Sequence, residues 1–187
     1  MTQKTMNAIT ILRALDKRLD TAVELTLYGR AAIQLGYRNP PDDVLLSLDV
    51  DAVFWIGQAE QLNEQTNFWE AVEDVNRGLS NDGLYISHFF TEDMVILREC
   101  WKETRKAIDA KFNRLKLYRL SDIDLLLSKL MRDDPQDLQD ALFIVRTAKL
   151  TPGDIRQALR DARLPSVPEV VEQFQAASDK LLTHFNP

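Results

Sequence analysis

The chain has 187 residues, 45% of them hydrophobic and 28% charged, which is room for one packed domain, or a domain plus a small helical extension. A net charge of −6 excludes indiscriminate binding to nucleic acid. The single cysteine, Cys100, excludes an internal disulfide, and no apolar run approaches the ~20 residues that span a bilayer.

These features predict a cytoplasmic protein with no membrane partner. The first stretch, MTQKTMNAITILRAL, lacks a long apolar core and a small-residue cleavage site, so it reads as helix rather than leader. Residues 5–19 place Ala8, Leu12, Leu15 and Leu19 on one helical face. In AVELTLYG, Val23, Leu25 and Leu27 alternate with Glu24 and Thr26, which predicts a strand ending at Gly29. RAAIQLG reads as a short helix closed by Gly36, and YRNPPDD as a loop with two prolines as breakers.

The stretch LLSLDVDAVFW, residues 45–55, then reads as a buried strand that carries two carboxylates. Strand geometry points Asp49 and Asp51 the same way, roughly 7 Å apart at their Cα atoms. At about 5 Å and an effective dielectric near 20, such a pair repels by roughly 3 kcal/mol. Something must offset that cost.

After a polar loop, NFWEAVEDVNRGLS predicts a helix with Phe68, Val72, Val75 and Leu79 on one face, and Asn67 with Glu70 resembles a capping box. GLYISHFF is strand-like, and MVIL is a strand or a helical turn. RKAID and RLKLYRL read as two strands around AKFN. From Ser121 the chain is helical. Ser121 is the expected N-cap of SDIDLLLSKLMR, and Pro135 opens a helix running to about Ala148. TPGDIRQALRDAR and PEVVEQFQAASDKLLTHF follow. The order predicts an α+β fold: a mixed sheet with flanking helices over residues 1–120, and a helical C-terminal subdomain over 121–187.

Charge is unevenly spread. Residues 98–119 hold eight basic and three acidic side chains, so that segment is +5 and the rest of the chain −11. Charge alone favours the solvated face of a hairpin; a stripe that tracks a phosphate backbone is the other reading.

Three groups of residues carry candidate chemistry. Gly29 joins a strand to a helix, a turn that either simply reverses the chain or lets phosphate approach backbone N–H groups. Asp49 and Asp51 are either a strand end facing water or a cradle for Mg²⁺, which takes a few carboxylates plus phosphate oxygens at ~2.0–2.1 Å. Lys129 lies on the more polar side of an apolar helix, and Asp137 and Asp140 share a face of the next. An acid in a first helical turn, as Asp137 is, needs no further reason. Asp140 lies deeper, where Asp is a poor helix former.

Together, LYGRAAIQLGY, LDVDAVF and LLLSKLMRDDPQDLQDALFIV resemble the nucleotidyltransferase-like proteins related to abortive-infection toxins, which share the DNA-polymerase-β type nucleotidyltransferase fold. The resemblance covers about residues 20–185. It implies a nucleotide-binding turn at Gly29 and Arg30, a Mg²⁺ or Mn²⁺ site at Asp49 and Asp51, and catalytic parts for Asp49, Asp51, Lys129, Asp137 and Asp140. The implied activity moves a nucleoside monophosphate from a nucleoside triphosphate to an RNA or protein acceptor. The alternative it implies is a catalytically silent member that binds a partner in a toxin–antitoxin or defence pair. Arg30 departs from the pattern, which has a small residue after the glycine. Either its guanidinium contacts phosphate, or it fills the site.

Overall fold

The computed structural model describes residues 6–185. In chain order they form α1 (Asn7–Asp16), β1 (Val23–Tyr28), α2 (Gly29–Gly36), α3 (Asp42–Leu45), β2 (Asp49–Phe54), α4 (Ile56–Asn63), α5 (Thr66–Leu79) and β3 (Tyr85–Thr91). Then come β4 (Leu97–Arg98), β5 (Lys106–Ala107), β6 (Leu115–Arg119), α6 (Asp122–Lys129), α7 (Pro135–Ala148), α8 (Pro152–Asp161), β7 (Ala162–Arg163) and α9 (Pro168–Thr183). The fold is α+β. Residue 5, placed at the start of the first helix by its pattern, lies outside the described residues, as do 186 and 187.

The chain forms two compact units. The first runs through Thr91 and takes in Lys106–Arg119; the second holds Glu92–Arg105 and the chain from Leu120 onward. The division differs from the expected break after residue 120. Residues 92–105 join the second unit because β4 pairs antiparallel with β7, Leu97 opposite Arg163 and Arg98 opposite Ala162. Val95, Ile96, Leu97 and Trp101 bury their side chains. A two-residue strand whose partner lies sixty residues on leaves no local pattern.

The first unit is built on one mixed sheet in the order β3-β2-β1-β6-β5. β1 runs antiparallel to β2 and parallel to β6, and β2 runs parallel to β3. β1 is buried on both sides: Leu25, Leu27 and Thr26 are all 0% exposed. α1 packs through Ala8, Ile11, Leu12 and Leu15, and α5 through Phe68, Ala71, Val72 and Val75. The rings of Phe54, Phe68, Trp69 and Phe89 interlock at 5.0–6.4 Å between centroids. Near Ile86 the outer edge of β3 meets a side chain. The amide of Asn76 donates to the Ile86 carbonyl at 3.0 Å and accepts from its N–H at 2.7 Å.

Two local expectations are corrected. The polar loop before residue 67 is helix α4. Of its residues only Gln58 and Leu62 are buried, too few for a periodic signal, and Gln58 Nε2 donates to the Glu24 carbonyl at 2.6 Å. Asn67 is not a cap. The residue before α5 is Gln65, and the Asn67 amide pairs with Asp20 instead, Nδ2 donating to its carboxylate at 2.8 Å.

The loop before β6 hangs on one carboxylate. Asp16, at the end of α1, accepts from the backbone N–H groups of Asn113, Arg114 and Leu115 at 2.7–2.9 Å. A carboxylate at a helix C-terminus is electrostatically disfavoured, and these three bonds offset that. Burial pushes the Asp16 carboxyl up, but the three N–H groups outweigh it and hold it below the usual carboxylate range.

The second unit packs α6 through Leu125, Leu126, Leu127 and Leu130, all 0% exposed. Three of its helices start on side-chain caps, those at Ser121 and Pro135 as expected. Ser121 Oγ accepts from the Asp124 N–H, Asp134 caps α7 ahead of Pro135, and Thr151 with Asp154 forms a capping box on α8. Among the described residues no helix is long and apolar enough to cross a membrane.

Candidate functional site

The acid pair sits on one face of β2. Val50, between the two, is buried at 1% exposure, while Asp49 and Asp51 are half-buried. Ser47 Oγ donates to Asp49 Oδ1 at 2.9 Å. Ser87 Oγ, from β3, lies 3.3 Å from Asp49 Oδ2 and also contacts Asp51 Oδ1. A hydroxyl has one proton, so Ser87 can donate to only one of the two at a time. Two carboxylates therefore converge on a single oxygen.

A bulge makes this convergence possible. Val50 pairs with Ile86 and Ala52 with Phe89, so Ser87 and His88 together stand opposite the one residue Asp51. In a regular strand these neighbours would point to opposite faces. The bulge turns both towards Asp51, the kind of re-aiming bulges perform beside functional sites. His88 Nδ1 lies 3.7 Å from Asp51 Oδ1, and its side chain is 66% exposed. Tyr28, the cross-strand partner of Asp51, shares that face. Ser47, Ser87 and His88 escape a reading of the sequence, because one serine or one histidine in a strand says nothing until the register is known.

Gly29 closes the site from the α2 side. Its φ is +64°, and a Cβ there would lie 3.1 Å from Asp51 Oδ2. The glycine is thus required twice, by the left-handed backbone and by the carboxylate against it. Gly29→Ala is expected to cost about 1–2 kcal/mol from the backbone alone, with more from the displaced carboxylate; urea denaturation measures it, and an unchanged midpoint would refute it. Arg30, next in α2, is only 13% exposed in its side chain. Its NH2 meets Asp43 Oδ2 at 2.7 Å and its NH1 donates to the Asp43 carbonyl at 3.3 Å.

Chemically, the donor set suits Mg²⁺ or Mn²⁺. Both are served by oxygen ligands, and Mg²⁺ is commonly held by one or two carboxylates with waters and phosphate oxygens completing its shell. Asp49 and Asp51 supply the carboxylates and Ser87 a neutral oxygen between them. Among the described residues no group of three or more His, Cys, Asp and Glu side chains is set to hold a metal.

The other predicted residues lie in the second unit and meet each other. Lys129 Nζ is 2.9 Å from Asp137 Oδ1 and 2.7 Å from Asp140 Oδ2, with side-chain exposures of 7%, 5% and 2%. Arg132 closes on Asp137 from outside at 2.7 Å. The buried ammonium thus ties α6 to α7, and each carboxylate is charge-compensated.

The basic segment 98–119 is divided between the two units, and two of its eight basic side chains are turned inward. Arg98 NH2 pairs with the fully buried Asp124 at 2.7 Å; the side-chain hydrogen bond to Asp124 raises the arginine above its ordinary pKa. Arg119 is 6% exposed, its guanidinium 4.3 Å over the Tyr37 ring, in space left by Gly36. Comparison with protein-family models, with characterised proteins and with solved structures finds no match to this chain.

Proposed function

We propose that the chain is a Mg²⁺- or Mn²⁺-dependent nucleotidyltransferase of the cytoplasm, which moves a nucleoside monophosphate from a nucleoside triphosphate to a hydroxyl of an RNA or protein acceptor. The observation that carries this reading is the convergence of Asp49 and Asp51 on Ser87, beside the left-handed Gly29 that opens α2. The resemblance of these same segments to nucleotidyltransferase-like proteins related to abortive-infection toxins supports it.

In the reaction the acceptor oxygen bonds to the α-phosphorus. The bond from that phosphorus to the bridging oxygen breaks, pyrophosphate leaves, and the hydroxyl proton passes to water. Asp49 and Asp51 would hold the divalent ion, which would neutralise charge developing on the phosphates. Ser47 and Ser87 fix the rotamers of the two acids. Gly29 lets the triphosphate approach the backbone at the start of α2. Arg30, anchored by Asp43, offers its guanidinium as a phosphate contact. For Lys129, Asp137 and Asp140 the geometry supports holding α6 to α7 rather than the catalytic part that the resemblance implies.

A second reading keeps the same site without catalysis, in a module that binds an antitoxin-type partner. What favours it is Arg30 itself, a bulky side chain where relatives of this kind have a small one. Thermal melting tests the metal site that the first reading requires. If the pair holds metal, Mg²⁺ or Mn²⁺ raises the melting temperature, because a ligand of the native state alone stabilises it. At one hundred times its Kd the rise corresponds to about 2.7 kcal/mol. Asp49→Asn abolishes the rise and, by relieving repulsion, leaves the metal-free protein no less stable. A destabilised Asp49→Asn variant that still responds to metal would assign the pair to structure instead.

A further inference from the structure

The acid face of the sheet carries a feature that metal and phosphate binding do not use. The His88 ring stacks on Phe90 at 5.1 Å between centroids and 25° between planes. Phe90 is braced edge-on by Tyr28 at 5.9 Å and 75°. Tyr28 stands across from Asp51, and Phe90 stands beside Val53, two residues on along the same face of β2. The three rings therefore form one wall next to the carboxylates. Burial sets this wall apart from the two core rings of the unit's other aromatic cluster, whose Trp69 and Phe89 are half-buried as well. Phe54 and Phe68 are 2% and 1% exposed, as core rings are. Tyr28 and Phe90 are only half-buried, and the His88 side chain is 66% exposed. An imidazole backed on one side by Phe90 and open on the other is a prepared surface for a further flat ring.

We propose that His88, backed by Phe90 and Tyr28, is a stacking platform for the nucleobase, so that the site selects nucleoside triphosphates over bare polyphosphate chains. The inference rests on the nucleotidyltransferase reading, and names the residue that distinguishes its substrate class. The position fits: His88 Nδ1 is 3.7 Å from Asp51 Oδ1, and in a nucleotide a single ribose separates the base from the phosphates that the acids and their ion would hold. Stacking tolerates every base, since each has a π-face. The platform therefore predicts a preference for nucleotides as a class. The bulge gives His88 this placement: it stands next to Ser87, yet both reach Asp51.

The test is calorimetric titration of the whole chain with Mg²⁺-ATP and, separately, with Mg²⁺-tripolyphosphate. The wild type should bind ATP on the order of tenfold more tightly than tripolyphosphate, the ratio that one base stack is worth. His88→Ala should remove that preference, bringing the affinity for ATP down to that for tripolyphosphate. His88→Phe should keep the preference, because it preserves the ring and discards the nitrogens. As a check that needs no variant, the adenine H2 and H8 signals should move upfield on binding the wild-type protein, as protons over an aromatic face do. Equal affinity for the two ligands, an unmoved adenine spectrum, or a preference that survives in His88→Ala would overturn the platform while the metal–triphosphate reading stands. A His88→Phe variant that behaves like His88→Ala would also overturn it, by assigning the effect to imidazole nitrogen. Binding of neither ligand would remove both this inference and the reading beneath it.

Discussion

Lys129→Met is expected to lower the unfolding free energy by about 3–5 kcal/mol, the usual cost of removing one partner from a buried ion pair. For a chain of this size that is a fall in Tm of roughly 10 °C. The reason lies in what remains. Asp140 and Asp137, 2% and 5% exposed in their side chains, would lose the ammonium at 2.7 and 2.9 Å. Arg132 would still compensate Asp137, since it approaches from the solvent side at 2.7 Å. The heavier loss therefore falls on Asp140. Adding Asp140→Leu to Lys129→Met should recover much of the stability, because replacing a buried ion pair by apolar groups is often neutral. Chemical denaturation of the two variants measures both effects. A Lys129→Met protein of wild-type stability that no longer binds nucleotide would return Lys129 to a catalytic part.

The second large effect is expected on acidification and centres on Asp16. Its folded-state pKa is depressed below the unfolded value by three backbone N–H groups that outweigh its burial. The sign follows from linkage. A depressed carboxylate contributes stability that is present above the unfolded pKa, near the ordinary value of 3.8, and is lost as pH falls through the lower folded value. Unfolding measured between pH 5 and 2 should show this loss. Asp16→Asn should be less stable at neutral pH by about 1–3 kcal/mol for each N–H left unsatisfied. It should also lack Asp16's share of the acid dependence. An amide has one acceptor oxygen, whereas Asp16 uses both: Oδ1 for Arg114 and Leu115, Oδ2 for Asn113. An Asp16→Asn protein with the stability and acid profile of the wild type would refute the account.

The sequence made the fold class legible where apolar residues recur over several turns. α1, α5 and the helices after Ser121 each bury an apolar face, and α6, α7 and α8 also start on capping side chains. It misled where structure depends on distant partners. α4 buries only Gln58 and Leu62, so no apolar periodicity marks it. Asn67 has the composition of a cap and spends its amide on Asp20, forty-seven positions away. The candidate site was half legible. Two acids on one strand announce themselves, because strand geometry forces them onto one side. The serine and histidine that complete the site depend on a bulge between two strands, and nothing in YISHFF states which residue will face Asp51. Lys129, Asp137 and Asp140 were visible as helix residues in need of a reason. Their reason is each other, across two helices.

Asn76 has a bearing on how this protein behaves at high concentration. A sheet that ends in an unpaired strand invites another chain to add to it, and natural proteins block such edges. At Ile86 the Asn76 amide already offers the donor and the acceptor that an incoming strand would bring. The block is made by a side chain of α5, so it needs no charge on the strand. It also lies one residue before the bulge, where Ser87 and His88 interrupt regular pairing. An intruding strand would have to displace the amide and then match an irregular ladder. The obstacle to edge pairing and the residues that face Asp51 thus lie side by side on one strand.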